Sequence, residues 1–143
     1  VNREREWEMK ILGRHLIVEF VDCDREILDD SPALEEFMNE AVRRSGATIV
    51  RSVFHRYNPH GVSGVVVIAE SHLSIHSWPE YGYAAVDFFT CGESVDPYKA
   101  FEYMRSALKA GNVTVTDLKR GIPSEFDEVI NHKPVLLTKT AVS

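Results

Sequence analysis

The sequence predicts an α+β fold, a two-layer α/β sandwich in which helices cover one face of a mainly antiparallel sheet. Three observations carry this reading. Short runs rich in β-branched and aromatic residues recur through the chain, only two segments repeat apolar residues at helical spacing, and turn signals separate the runs in the order β-α-β-β-β-β-α-β. Two helices suffice for one face of such a sheet. The other face then needs solvent or a partner, and its apolar outward positions favour dimerisation.

Leu12 to Asp22 opens the sheet, with Leu16, Val18 and Phe20 on one side and Ile17, Glu19 and Val21 on the other. Ser31-Pro32 predicts a helix start, Ser at the N-cap and Pro at N1. Leu34, Phe37, Met38 and Ala41 follow at helical spacing until Ser45-Gly46 stops the run. Thr48 to Tyr57 is strand-like and ends in the turn Asn58-Pro59-His60-Gly61. Val65 to Ala69, continuously apolar, predicts a strand buried on both faces. Leu73 to Trp78 stays extended until Pro79-Glu80-Tyr81-Gly82, and Tyr83 to Thr90 is the next strand. Asp96-Pro97 caps a second helix carrying Ala100, Phe101, Met104 and Leu108, and Val113 to Leu118 is the last strand. The tail from Gly121 carries no pattern that predicts an element.

At 143 residues with 44% hydrophobic composition, the chain suits one domain with its own core. Its net charge of −6 speaks against nucleic acid or an anionic membrane as partner. The charged N-terminal stretch does not read as a secretory leader, and no apolar run approaches the roughly 20 residues of a membrane span. Cys23 and Cys91 lack any framework spacing and read as free thiols. A cytoplasmic protein is the expectation.

Reactive side chains concentrate between Tyr57 and Gly92: Ser71 after the apolar run, His76 five residues on, and Cys91 at the end of the following strand. A serine, a histidine and a thiol permit hydrolysis, metal binding or self-processing. His72 and His76 have the i, i+4 spacing of two helical metal ligands, but in extended chain they lie about 13 Å apart. No metal site is expected. Nor does a hydrolase fit, since Ser71 lacks flanking glycines and Ser63, in Gly-Val-Ser-Gly-Val, has Val65 where a nucleophile elbow needs glycine.

The string ESHLSIHSWPEYGYAAVDFFTCG resembles the signature of prokaryotic S-adenosylmethionine decarboxylases, pyruvoyl-dependent enzymes made as proenzymes. Gly13-Arg14-His15, Cys23-Asp24, Ser45-Gly46-Ala47-Thr48 and Phe54-His55 extend the likeness. Ser77 stands where that family usually has threonine, and Tyr57 where phenylalanine is usual.

The resemblance implies autocatalytic cleavage between Glu70 and Ser71, splitting a single domain into a β chain of residues 1–70 and an α chain of residues 71–143. Ser71 would become the pyruvoyl cofactor. By the same likeness His76 is the processing base, suited by its near-neutral pKa, and Ser63 assists by polarising the Glu70 carbonyl. Cys91 matches the proton donor of the decarboxylation. Glu80 matches the carboxylate that grips the substrate ribose, while Trp78 and Tyr57 are aromatics for an adenine ring or a sulfonium. S-adenosylmethionine is then the substrate, its product feeds spermidine synthesis, and processed protomers form a homodimer.

Taken singly, each of these residues is ordinary: a strand-end serine, a hydrogen-bonded histidine, a small buried thiol. Cys23, His15, His55 and His72 receive no role. Two other functions compete. A related pyruvoyl enzyme could act on arginine or ornithine, although neither offers a ribose for Glu80. A homologue that never processes could serve as a binding or regulatory subunit.

Overall fold

In the computed structural model, which describes residues 11–69 and 71–122, six strands make one sheet. They are β1 (Gly13–Val21), β2 (Ile49–Arg56), β3 (Val62–Ile68), β4 (Ser71–Trp78), β5 (Tyr83–Cys91) and β6 (Asn112–Arg120). Their spatial order is β2-β3-β4-β5-β1-β6, and each neighbouring pair is antiparallel. Three helices accompany them: α1 (Arg25–Leu28), α2 (Ser31–Ser45) and α3 (Pro97–Ala107), with a single 3-10 turn at Pro79–Tyr81.

Side-chain alternation divides the sheet into two unlike faces. Leu16, Val18 and Phe20 of β1, Val66 and Ile68 of β3, Leu73 and Ile75 of β4, and Val86 and Phe88 of β5 turn inward and are buried. They meet Leu34 and Met38 of α2 and Phe101 and Met104 of α3 in one core. The two long helices lie side by side over this face, with Phe37 against Tyr103 at 6.4 Å between ring centroids and the Arg44 guanidinium over the Tyr103 ring.

The opposite face carries no helix among the described residues. Register places Ile17, Val53, Val65, Val67 and Trp78 there beside His15, Ser63, His72, Ser74, His76, Asp87 and Phe89. Ile17, Val67 and Trp78 are each about 40% exposed, which no core residue approaches.

Three expectations change. The N-cap of α2 is Asp30, whose carboxylate accepts from the Ala33 N–H, so Ser31 already lies inside the helix. Aspartate and serine are near-equal caps, so residue type alone does not choose between the two positions. The run Val65 to Ala69 is buried on one face only, because no second layer covers the side bearing Val65 and Val67. Helix α1 was not predicted; four residues are too few for a periodic signal, and the Asp24 cap on the Ile27 N–H holds the turn.

At the register pair Phe54–Gly64, a Cβ added to Gly64 would collide with the Phe54 ring. Gly64→Ala is therefore expected to destabilise the fold by about 1–3 kcal/mol, as overpacking does. Urea unfolding should show the loss, and Phe54→Leu in the same chain should recover part of it.

Candidate active site

Ser71 opens β4 and Cys91 closes β5, so antiparallel pairing brings the two ends together. The Ser71 hydroxyl lies 3.3 Å from the Cys91 sulfur. Gly13, the first residue of β1, sits opposite Cys91, and a Cβ there would meet the Cys91 sulfur at 3.2 Å and the Thr90 carbonyl at 2.8 Å. A glycine is what lets β1 pass this close. Glu70 lies outside the described residues.

Farther along the same strands, Ser63 and His76 face each other across β3 and β4, with the Ser63 hydroxyl 2.8 Å from His76 Nδ1. His76 is exposed, on the bare sheet face.

A third group sits at the far end of β4. Trp78 stacks on Tyr83 at 5.3 Å, and Glu80, on the 3-10 turn, lies 3.2 Å from His60 Nε2. His60 belongs to the loop that leaves β2 at Tyr57, and the Tyr57 N–H to Gly61 carbonyl bond closes that loop. Arg56 pins its base, donating to the Asp29 carboxylate at 2.6 Å and to the Pro59 carbonyl at 3.2 Å. Ser77, where threonine is usual, is buried; its hydroxyl donates to the Leu28 carbonyl and accepts from the Val62 N–H. Only the hydroxyl is needed for that work, and both residue types have one.

One chain does not bring all these groups together. At about 3.3 Å per residue, Ser71 and His76 stand roughly 16 Å apart along β4. Trp78 and Glu80 are farther still. Thus the Ser71–Cys91 pair, the Ser63–His76 pair and the Tyr57, Trp78 and Glu80 group form three stations along the sheet. The groove between α2 and α3, lined by Arg44, Tyr98, Lys99 and Tyr103, belongs to the helical layer and holds none of them.

A cluster that the sequence did not disclose lies between the first two stations. Asp87 of β5 accepts from His15 Nε2 at 2.5 Å, from His72 Nε2 at 2.9 Å, and from the Ser74 hydroxyl. Arg120 donates to His15 Nδ1 at 2.9 Å, and Phe89 stacks on His15 at 5.0 Å. His15, His72 and Asp87 offer ligand atoms within 4.8 Å of one another, close enough to hold a metal ion. Yet a guanidinium can only donate, so His15 Nδ1 accepts and the ring proton sits on Nε2, the atom a metal would need bare. The arrangement suits a hydrogen-bonded brace. Period-two pairing of β1 with β5 is the signal that would have found it, since it sets His15 opposite Phe89 and Ile17 opposite Asp87.

The two thiols differ. Cys23 is buried, which pushes its pKa up to about 11, helped by the charge on Asp22. A thiol so disposed is inert. Burial and the Glu19 carboxylate likewise push the Tyr83 phenol up to about 12, and that phenol donates to Glu19 at 2.6 Å.

Comparison with known proteins follows the same lines. The fold class is that of the crystal structure of the adenosylmethionine decarboxylase from Aquifex aeolicus VF5, with a TM-score of 0.76 and 34% identity over 83% of this chain and 98% of that one. The family model for S-adenosylmethionine decarboxylase matches residues 14–121. The S-adenosylmethionine decarboxylase proenzyme of Thermotoga maritima is 61% identical over 121 residues, covering 85% of this chain and 91% of the relative. The proenzyme of Caldicellulosiruptor saccharolyticus is 50% identical over 123 residues, covering 86% and 99%. The chain belongs to the S-adenosylmethionine decarboxylase family. Among the described residues no helix is long and apolar enough to cross a membrane.

Burial alone would raise the Asp87 pKa, but hydrogen bonds from Ser74, His15 and His72 outweigh it and hold the carboxyl below its ordinary value. A carboxyl depressed in the folded state stabilises the fold above its unfolded pKa of about 3.9 and loses that contribution as pH falls further. Asp87→Asn should therefore cost about 1–3 kcal/mol at pH 7. Urea midpoints measured down to pH 3 should show the gap to the parent narrowing; a gap unchanged with pH would contradict the assignment.

Proposed function

We propose that the chain is a proenzyme that cuts itself between Glu70 and Ser71 and, once cut, decarboxylates S-adenosylmethionine through a pyruvoyl group made from Ser71. The placement of Ser71 beside the Cys91 thiol carries this reading. Cleavage begins when the Ser71 hydroxyl attacks the Glu70 carbonyl and the amide becomes an ester. A base then takes the Ser71 Cα proton, the Glu70 carboxylate leaves, and the dehydroalanine hydrolyses with loss of ammonia to a pyruvoyl group.

A ketone at residue 71 would stand at a strand end with the Cys91 thiol at hand, which supports the reading. When present it supplies the electron sink for loss of CO2. Cys91 is then placed to return a proton to the substrate carbon. Glu80 offers a carboxylate to the ribose diol, and Trp78 and Tyr57, both more than a third exposed, offer faces to the adenine or the sulfonium.

The separation along β4 makes a second copy part of this reading. Ser63 and His76 stand too far from Ser71 to serve it in their own chain. Two copies packed by their bare sheet faces, running in opposite directions, would lay the partner subunit's His76 over each Ser71. The apolar Ile17, Val53, Val65 and Val67 on that face support a homodimer, since solvent is a poor cover for them.

Co-expression of Ser71→Ala and His76→Ala chains tests both points. Each variant alone should stay uncut. In the mixture the His76→Ala chain should be cut by its partner and release CO2 from S-adenosylmethionine, but not from arginine or ornithine. If the mixture stays uncut, the composite site is wrong.

A further inference from the structure

Cleavage before Ser71 would turn the first residue of β4 into a free chain end. Free ends fray, because nothing upstream holds them. A reacting group on such an end can work only if the next few residues are tied down, since small misplacements at a reacting centre cost large factors in rate. The Asp87 cluster stands where that tie is needed.

We infer that Asp87 moors the new N-terminus of β4 and thereby positions the group at residue 71 against Cys91; this rests on the cleavage reading above. Asp87 holds two alternate residues of the first four in β4. His72 reaches one carboxylate oxygen at 2.9 Å, and the Ser74 hydroxyl reaches the other. The carboxylate is itself braced, by His15 of β1 at 2.5 Å, and His15 in turn by Arg120 of β6 at 2.9 Å. Four strands thus converge on one side chain. The Phe89 ring packs against both imidazoles, at 5.0 Å from His15 and 5.8 Å from His72, and Phe89 lies two residues before Cys91. The tether therefore links the residue after Ser71 to the strand that carries Cys91. Asp87 and His72 are positioning residues, acting through residue 71 rather than on the substrate.

The test uses the full chain, with denatured mass first establishing that the parent is cut. An uncut parent would remove the cleavage reading itself, before any variant is compared. In cut protein, His72→Phe should lower kcat roughly tenfold or more while KM changes less than about twofold, the size expected for loss of a charge-assisted hydrogen bond. Amide hydrogen exchange over residues 72–75 should speed up. His72→Gln, which keeps a donor at the position of Nε2, should restore most of kcat. If His72→Phe is not processed, Ser74→Ala carries the test, with kcat lowered severalfold at unchanged KM. A cut variant with parental kcat and parental exchange overturns the inference. So does a His72→Gln variant as impaired as His72→Phe.

Discussion

A β-strand advances about 3.3 Å per residue and turns its side chains alternately to its two faces. Strand β4 obeys this from Ser71 to Trp78, and the whole distribution of chemistry follows from it. Leu73, Ile75 and Ser77 are committed to the core side. His72, Ser74, His76 and Trp78 are committed to the bare side. The candidate nucleophile and the candidate base therefore cannot meet within one chain, however close they stand in sequence. Antiparallel pairing sets Ser63 opposite His76 and Tyr83 opposite Trp78, and it brings the end of β5 close enough for Cys91 to meet the Ser71 hydroxyl.

The uneven cover of the sheet is the second constraint. Two long helices fill one face with Leu34, Met38, Phe101 and Met104, and the other face is left with aliphatic residues mixed among imidazoles, hydroxyls and a carboxylate. That mixture resembles an interface that is both packed and functional. The Asp87 cluster is its most connected part, and it ties β1, β4, β5 and β6 near the start of β4.

The strand and helix order was legible because each main element carries its own local signal: alternation in Leu16 to Phe20, helical recurrence from Leu34 to Ala41, and Asp96-Pro97 at a helix start. Where sequence reading missed, the deciding contact was not local. Val65 and Val67 look like core because the bareness of their face belongs to the whole sheet. The likeness named Ser71, His76 and Cys91 but carried no information on their separation, which strand geometry sets. His15 and Asp87 went unassigned since 72 residues separate them in the chain.

Mass spectrometry of the denatured protein tests the central claim most directly. The account predicts two fragments, residues 1–70 and residues 71–143, with the second beginning in a pyruvoyl group rather than a serine. A single intact 143-residue mass that persists on long incubation would contradict it.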